Sequence, residues 1–418
     1  MNYPDSIEFL YSLGNESKTF KLGLEPITLL LSELGNPQNS FRSVHVAGTN
    51  GKGSTCAMIE CGLRSAGVRT GLYTSPHLVQ PTERIQLDGV PVTSVVFTAA
   101  FAEVHRAAEA LLACGALPAH PSYFETVTAM AFVVFRDCGV ETAVVEVGLG
   151  GRLDATNAIH PQLCVITPVD YDHEAWLGSS IELIAAEKAG ILKAGVPAVF
   201  ARQRPEVMQV LDEHVFRLGI PTKATFAAAE DLRLASGGCS FLVGGLRIEC
   251  PLAGHHQAEN ALTAVNALWA LGVSGDAIQR GISGVRWPGR LELVSHEPDL
   301  ILDGAHNPAG AQALANHIQR FYADRPVWLI FGAMRDKAVE EMAELLFPLA
   351  AHVILTAPAM PRAVQPETLL SMGGPERMTT AVNLSAALQA ARKAPADAVI
   401  FITGSLYLVG EARALLVQ

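Results

Sequence analysis

Short β-branched segments alternate along this chain with longer segments of helical pattern, and this alternation limits the possible folds more than any other feature. In the first two-thirds of the sequence, the strand candidates are residues 43–47, 70–74, 141–147, 163–168 and 197–200. Successive strands that are separated by helices pair in the same direction, because the connection has to cross back over the sheet. We therefore predict an α/β protein with a parallel-rich sheet that is covered by helices.

A second strand–helix series begins near Asp299, with strand candidates at 300–302, 326–331, 352–356 and 398–402. Between the two series, residues 284–290 carry glycine and proline in the pattern of a linker. The chain has 418 residues, more than the roughly 100–200 residues of a typical single domain. We predict a first domain over residues 1–284, a linker over 285–298 and a smaller α/β domain over 299–418.

Composition excludes several classes of protein. Lysine and arginine total 30 against 41 acidic residues, which gives a formal net charge of −11, so the chain lacks the basic surface of a nucleic-acid or membrane-surface binder. The 7 cysteines are scattered, which is typical of a reduced cytoplasmic protein and excludes a disulfide framework. No segment reaches the roughly 18 uncharged apolar residues of a membrane helix. We expect a cytoplasmic monomer that acts on small molecules.

Residues 45–55 (HVAGTNGKGST) run from a strand candidate through a glycine-rich turn into a helix candidate. Such a turn directs backbone N–H groups towards one point, and the helix N-terminus adds positive potential. Lys52 would then meet the outer phosphates of a nucleotide, and the hydroxyl of Ser54 or Thr55 could bind Mg²⁺. The spacing departs from the usual phosphate loop, since Val46 replaces its first glycine and Gly53 follows the lysine. A tight turn with an exposed lysine is the alternative, and the strand–turn–helix context favours nucleotide binding.

Polar residues also lie within or just after apolar strand candidates. Glu146 interrupts the apolar segment 143–147, where a buried carboxylate is costly unless it is paired or binds a metal; the alternative is an exposed acid at a strand end. His173 follows 163–168 by a few residues, and a lone histidine in a loop is ordinarily polar surface. Lys188 lies among small residues, and its pattern alone favours a surface lysine paired with an acid. Asp303 follows the strand candidate 300–302 and could be only a turn residue.

The segment 48–54 resembles the ATP site of the Mur-ligase superfamily, and its Asn50 and Gly53 are similar to the folylpolyglutamate synthase/dihydrofolate synthase branch. More motifs similar to that branch follow in order at 18–24, 74–78, 83–85, 122–125, 146–157, 172–173, 187–191, 254–257 with Asn260, 287–292 and 303–308. The resemblance implies a Mur-ligase-like P-loop ATPase domain over 1–284 and a Rossmann-like glutamate-ligase domain over 299–418. It also implies ATP as a substrate and Mg²⁺, at two sites, as a cofactor.

The resemblance assigns roles to individual residues. It implies that Lys52, Lys188 and His306 are catalytic, and that Lys188 is carbamylated by CO₂. The implied metal ligands are Ser54, Ser75 and Glu146, with His173 on a second Mg²⁺. The implied nucleotide contacts are the phosphate-loop residues Gly48, Thr49, Asn50, Gly51, Lys52, Gly53, Ser54 and Thr55, together with Gln257, Asn260, Arg290 and Asp303.

The implied reaction is ATP-dependent formation of an amide bond. The γ-phosphoryl group of ATP is transferred to a carboxylate, and the amino group of L-glutamate then attacks the resulting acyl phosphate. Two other hypotheses remain: a different Mur-type ligase, such as a muramyl peptide ligase, and a non-catalytic P-loop switch. The Asn50–Gly53 loop disfavours a different Mur-type ligase. A non-catalytic switch is disfavoured by the combination of Lys52, Glu146, His173 and Lys188.

The acceptor is dihydropteroate, a reduced folate or both. Phe124 could stack on a pterin, although it also suits a helix core. Arg84 lies in residues 78–85, which resemble part of the family's acceptor site. By resemblance, residues 78–85 and 122–125 lie where bifunctional bacterial members bind dihydropteroate. Gln80-Pro-Thr82 precedes Glu83 where an asparagine is common in the family. We expect both activities in one chain, with a monofunctional folylpolyglutamate synthase as the alternative.

Overall fold

The structure is a computed structural model and describes residues 2–14, 23–220, 228–372 and 375–417. The chain forms two compact units. Unit 1 consists of Met1–Ala228, Val243–Leu246 and Glu259–Val285, and unit 2 consists of Ala229–Leu242, Arg247–Ala258 and Arg286–Gln418. The sequence placed residues 229–258 wholly in the first domain, and its division at 285–298 stays a prediction. The motif at 18–24 lies largely outside the described residues.

Unit 1 contains a seven-stranded sheet in the order β4-β3-β2-β5-β1-β6-β7. Its strands are β1 (Arg42–Ala47), β2 (Thr70–Tyr73), β3 (Ile85–Leu87), β4 (Val90–Pro91), β5 (Thr142–Glu146), β6 (Leu163–Ile166) and β7 (Ala198–Phe200). The parallel strands are β2, β5, β1, β6 and β7. Strands β3 and β4 continue the sheet beyond β2 with antiparallel pairing. The predicted parallel-rich α/β sheet is confirmed.

The helices of the same region are α1 (Tyr3–Ser12), α2 (Glu25–Glu33), α3 (Lys52–Ser65), α4 (Ser94–Ala113), α5 (Tyr123–Asp137), α6 (Glu174–Leu177), α7 (Ile181–Ala189) and α8 (Pro205–Leu218). The sequence analysis did not identify α4, because its first turn contains the β-branched Val95 and Val96, which favour a strand locally. Thr93 caps it, since the Thr93 side chain accepts a hydrogen bond from the Val96 N–H. Buried residues at helical spacing then attach α4 to the core beside α1, α2 and α5.

A three-stranded sheet contains β8 (Glu230–Ala235), β9 (Gly238–Val243) and β10 (Leu246–Cys250), in the order β10-β9-β8. Strands β9 and β10 form a hairpin that turns at Gly244 and Gly245. Two helices follow, α9 (His255–Ala270) and α10 (Gly275–Ser283). Helix α10 packs against α3 so closely that an added Cβ at Gly281 would collide with the backbone of Gly62.

Unit 2 contains a six-stranded sheet in the order β11-β12-β16-β13-β14-β15. Its strands are β11 (Glu292–Ser295), β12 (Asp299–Leu302), β13 (Val327–Phe331), β14 (His352–Leu355), β15 (Met378–Thr380) and β16 (Val399–Thr403), and only β11 pairs antiparallel among them. The helices are α11 (Pro308–Phe321), α12 (Val339–Leu346), α13 (Pro366–Leu369), α14 (Leu384–Ala391) and α15 (Leu406–Leu416). Asn383 caps α14, because its side chain accepts a hydrogen bond from the Ala386 N–H at 2.9 Å.

Within the described ranges, none of the helices combines the length and the apolar character that crossing a bilayer would require.

Candidate functional site

The carboxyl ends of β2, β5, β1 and β6 lie at one edge of the seven-stranded sheet. Their parallel register places Val46 beside Glu146 and Ala47 beside Ile166. The segments that leave these strands therefore emerge side by side, and they carry most of the site residues that the sequence predicts in unit 1. In an open α/β sheet, ligands bind at this edge.

The glycine-rich segment connects β1 to α3 as predicted, and α3 begins at Lys52. Gly51 has φ +81°, in the left-handed region that favours glycine, and the amide of Asn260 lies where a Cβ on Gly51 would be. The backbone N–H groups of Thr49 and Asn50 donate to the Pro168 carbonyl at 2.9 and 3.2 Å. The loop is thus held between the segment after β6 and the helix α9.

The side chains of the first turn of α3 differ in exposure. The Lys52 ammonium donates to the Thr49 carbonyl at 3.2 Å, so it folds back over its own loop. Ser54 and Thr55 are buried, and the Thr55 hydroxyl has no hydrogen-bond partner among the described residues. Gly53 lies between these residues, and its N–H belongs to the first turn, where helical N–H groups have no intrahelical acceptor. This turn offers an anion a positive charge, hydroxyls and N–H groups together.

Glu146 is the last residue of β5 and is 4% exposed. Its Oε2 accepts a hydrogen bond from the backbone N–H of Ser75 at 3.1 Å, which joins the ends of β5 and β2. The structure therefore brings together two of the residues predicted to bind metal. The carboxylate is not an exposed strand-end acid, which the sequence left as the alternative.

Lys188 is buried on α7, and its Nζ donates to the carbonyl of Gly48 in the phosphate loop at 2.9 Å. Burial, and after it the positive charge of Lys52, lower the pKa of this amine to about 7, although Asp172 and Asp154 oppose the shift. The surface-lysine alternative is wrong. A lysine with such a pKa is substantially neutral near physiological pH, so its nitrogen has a lone pair available for reaction.

His173 lies after β6, where it precedes the short helix α6 with a φ of +54°. Its side chain is 40% exposed, and its Nε2 lies 3.8 Å from the Asp172 carboxylate. Asp172 is in turn one of the charges that act on Lys188. His173 is therefore at the same sheet edge as the other predicted ligands, on a different loop.

The two predicted acceptor contacts are both buried. Phe124, in the first turn of α5, packs its ring against Gly148, two residues after Glu146. Arg84 donates from Nε to Nδ1 of His77 at 2.8 Å, and its guanidinium lies 5.2 Å from the ring centroid of Tyr123. Burial and the charge of Arg84 lower the pKa of His77 to about 3, so this imidazole is a neutral acceptor. The sequence analysis did not identify His77 or Tyr123 as partners of Arg84.

A buried polar chain under the loop after β5 was also missed. Asp154 accepts from the N–H groups of Leu149 and Thr156 at 2.8 and 3.0 Å, and the Thr156 hydroxyl lies 2.8 Å from Nε2 of His45. Burial raises the pKa of Asp154 to about 6. An aspartate two residues before a threonine is typical of a turn that binds its own backbone, and this local signal could have identified it.

The residues predicted for the second domain form a separate group in unit 2. The two Asp303 oxygens accept from the N–H groups of Leu291 and Ala305 at 3.1 and 3.0 Å, and Asp303 is buried. Burial raises the pKa of Asp303, and the nearby Arg290 opposes that shift. His306 follows the same strand and lies 2.8 Å from the Gly304 carbonyl through Nδ1.

Helix α9 carries two of the nucleotide contacts that the resemblance implies, Gln257 and Asn260, and both are buried. Asn260 packs against the phosphate loop at Gly51. Gln257 lies one turn earlier, where its N–H donates to the Gly254 carbonyl at 3.1 Å.

Comparison with known proteins places this arrangement in a family. A model of the Mur ligase middle domain matches residues 46–268, and a model of the Mur ligase glutamate ligase domain matches residues 289–406. A dihydrofolate synthase/folylpolyglutamate synthase of Mycobacterium tuberculosis is 38% identical over 94% of this chain and 89% of its own length.

Solved structures agree over the whole chain. The M. tuberculosis folylpolyglutamate synthase complexed with ADP and AMPPCP has a TM-score of 0.91 at 35% identity, covering 100% of this chain and 99% of its own. The Escherichia coli FolC protein in complex with DHPP and ADP has a TM-score of 0.87 at 30% identity, covering 99% and 97%.

Proposed function

The chain belongs to the Mur ligase family, in its dihydrofolate synthase/folylpolyglutamate synthase branch, and we propose which of its residues carry the ATP-dependent addition of glutamate to pteroates and folates. The observation that carries the proposal is the hydrogen bond from the buried Lys188 amine to the Gly48 carbonyl of the phosphate loop. It ties a reactive amine to the segment that would hold the phosphates. A loop that only bound nucleotide would have no need of an uncharged lysine there.

The phosphate loop and Lys52 bind and orient ATP. The N–H groups at the start of α3 hold the phosphate oxygens, and Lys52 turns from the Thr49 carbonyl to the outer phosphates. The acceptor carboxylate attacks the γ-phosphorus and ADP leaves. The amino group of L-glutamate then attacks the acyl carbon, and the amide forms as phosphate leaves and the amine loses a proton. Asn260 holds the loop from α9. The family resemblance assigns nucleotide contacts to Gln257, Arg290 and Asp303 and a catalytic role to His306.

The oxygen donors near the ends of β5 and β2 suit a hard divalent cation. Glu146 offers a buried carboxylate, and Ser54 and Ser75 offer hydroxyls; oxygen is the donor that Mg²⁺ prefers. His173 would support a second ion from the loop after β6. Bound Mg²⁺ would offset the negative charge of the phosphates during transfer.

Lys188 has the environment for carbamylation. The neutral Nζ attacks the carbon of CO₂, an N–C bond forms, one C=O pair moves onto oxygen, and the nitrogen loses a proton to water. The pKa of about 7 supplies the neutral amine, and the positive charge of Lys52 favours the anionic product. We expect Lys188→Ala to be inactive and to recover part of its turnover when a small carboxylate is added. Density continuing beyond Nζ in a crystal is the direct measurement, and density that ends at Nζ would contradict the modification.

The proposed assignment is tested by ADP release. The wild-type chain should release ADP only when L-glutamate and a pteroate or folate acceptor are both present. Lys52→Ala should lose this turnover by orders of magnitude, whereas exchange of an exposed lysine, Lys393→Ala, should leave it unchanged. Wild-type-like turnover of Lys52→Ala at saturating ATP would contradict the phosphate-loop assignment. Turnover with a muramyl peptide instead of a pteroate or folate would favour a different Mur-type ligase.

The quaternary state belongs to the same proposal. We infer that the chain acts as a cytoplasmic monomer on small molecules, since its net charge is negative and its cysteines are free. Light scattering of the purified protein measures the mass directly, and a dimer mass would overturn the monomer.

A further inference from the structure

Two histidines and a glutamate converge on the surface of unit 1. His105 and Glu109 lie one turn apart on α4, and His120 lies in the connection between α4 and α5. Among the residues that the structure describes, these form the group of histidine, cysteine and carboxylate side chains that can place one ligand atom each within 4.8 Å of the others. None of them has a role in the proposed reaction.

The distances in this His–Glu–His cluster fit a small metal ion. The Glu109 Oε1 lies 3.1 Å from Nε2 of His120 and 3.8 Å from Nε2 of His105. Ligands at roughly 2.0–2.1 Å from a tetrahedral Zn²⁺ are about 3.3 Å apart, so the two separations bracket the spacing that the ion requires. Residues four apart on a helix share a face, which explains why His105 and Glu109 meet.

The two imidazole rings are held by aromatic packing. Phe9 of α1 contacts both rings edge-on, at centroid distances of 4.6 Å to His105 and 5.4 Å to His120. Phe101 stacks on His105 at 5.4 Å. Side chains fixed in this way lose little conformational entropy when they bind a ligand.

The hydrogen bonding of His105 is incomplete. Its Nδ1 is buried without a hydrogen-bond partner among the described residues, and its Nε2 is too far from Glu109 for a direct hydrogen bond. The His105 side chain is 21% exposed, and an unpaired nitrogen on the buried side of the ring is unusual. A cation between Nε2 and the Glu109 carboxylate would complete the interaction that the protein side chains leave open.

We propose that His105, Glu109 and His120 bind a divalent transition-metal ion such as Zn²⁺. Imidazole suits Zn²⁺ and related ions, whereas Mg²⁺ prefers oxygen donors. Three protein ligands leave a fourth position for water. The ion would tie the second half of α4 to the connection that leads into α5, whose first turn carries Phe124.

Equilibrium dialysis of the full-length, chelator-treated protein against Zn²⁺ tests the proposal. Excess Mg²⁺ in the buffer occupies the proposed ligase centre, so that Zn²⁺ bound there does not obscure the result. We expect one equivalent of Zn²⁺ on the wild-type chain. Glu109→Gln and His120→Ala should each weaken binding by at least about tenfold, whereas the exposed His160→Ala outside the cluster should bind as the wild type does.

A second measurement guards against variants that fold poorly. Zn²⁺ should raise the thermal unfolding temperature of the wild type and of His160→Ala, and should leave that of Glu109→Gln unchanged, because an ion that binds only the folded state stabilises it. The proposal is overturned if no Zn²⁺ binds in excess Mg²⁺. It is equally overturned if Glu109→Gln and His120→Ala bind Zn²⁺ as the wild type does. In that case Glu109 and the two histidines would form an ion pair that holds no metal.

Discussion

At the scale of single residues, burial changes the chemistry of Lys188 and Glu146. Lys188 is enclosed beside a second positive charge, which makes its amine a base with a pKa of about 7. Glu146 is enclosed at a strand end, where its carboxylate is joined to the Ser75 N–H. Both residues would be unremarkable if they were exposed. Burial gives each residue a property that can be tested. The pKa of Lys188 can be tested without substrate, and the charge of Glu146 can be tested by replacing it with glutamine, its neutral isostere.

The pH dependence of stability should report the buried amine of Lys188. The folded pKa of about 7 lies below the ordinary value of 10.5, so below pH 7 both states are protonated and the penalty for the buried charge is complete. Above pH 7 the folded state loses the proton first, and the penalty falls as the pH rises towards 10.5. Lys188→Met should therefore be more stable than the wild type at low pH. The difference between their free energies of unfolding should narrow by about 2 kcal/mol between pH 7 and 9.

Urea unfolding in CO₂-free buffer measures this gap, because it gives the free energy of unfolding of both proteins at each pH. Lys393→Met, at an exposed lysine, is the matched control. Parallel profiles for the wild type and Lys188→Met would show that the folded amine titrates like an ordinary lysine.

Replacing Glu146 by glutamine separates its charge from its structural contact. The glutamine carbonyl can still accept from the Ser75 N–H, so the fold and the unfolding temperature should change little. The ligase turnover should fall by orders of magnitude, because a neutral amide is a weak ligand for Mg²⁺. Glu141→Gln makes the same exchange just before the start of β5 and should keep its activity. Normal turnover with an unchanged Mg²⁺ requirement in Glu146→Gln would remove this residue from the metal site.

At the scale of elements, the phosphate loop depends on what packs against α3. The helix begins at Lys52, and its position fixes where the first N–H groups point. Helix α10 lies against it through the pair Gly62 and Gly281, where the backbones approach without side chains between them. The geometry of the loop is therefore set partly by residues more than two hundred positions away in the sequence.

The contact between α3 and α10 predicts the effect of a single methyl group. Gly281→Ala would push the new Cβ into the Gly62 backbone, and overpacking of this kind costs about 1–3 kcal/mol. We expect a lower free energy of unfolding and a weaker affinity for ATP, since α3 has to shift. Urea unfolding and nucleotide titration measure the two effects. Ser283→Ala introduces the same residue at an exposed position of α10 and should be close to neutral, and a neutral Gly281→Ala would show that the helices can separate freely.

At the scale of the whole molecule, one chain supplies two α/β units, each with its own sheet and core. Unit 1 holds the phosphate loop, Glu146 and Lys188, and unit 2 holds Arg290 and Asp303. The acceptor contacts that the sequence predicts, Phe124 and Arg84, lie in unit 1 and are rigidly packed there. The choice of acceptor is therefore measured on the intact chain, with both units present.

We expect the intact chain to use both acceptors. With ATP and L-glutamate, it should convert dihydropteroate to dihydrofolate and should also add glutamate to tetrahydrofolate, because the reacting carboxylate is held at the shared site while the pterin end can occupy a different position. Chromatography of the two reactions separates the products. Glutamate addition to tetrahydrofolate alone would indicate a monofunctional folylpolyglutamate synthase, and formation of dihydrofolate alone would indicate a dihydrofolate synthase.

The α/β class, the parallel-rich sheet and the position of the phosphate loop could be predicted from the sequence. These follow from local signals: β-branched runs, helical spacing and a glycine turn before a lysine are each contained in a few consecutive residues. The same signals placed Glu146 at a strand end. They could not decide whether that acid is exposed, because burial depends on the neighbouring strands β2 and β1 in the sheet.

The surroundings of each side chain depend on contacts between elements, and these could not be predicted from the sequence. Lys188 has the local pattern of a surface lysine, and its low pKa follows from its burial and from the charge of Lys52, which is far from it in the sequence. Arg84 acquires a neutral acceptor only because His77 is buried with it, and His105 meets His120 only because α4 ends before the connection turns back. Desolvation and close packing depend on distances in space, and the order of residues along the chain does not contain those distances for contacts between elements.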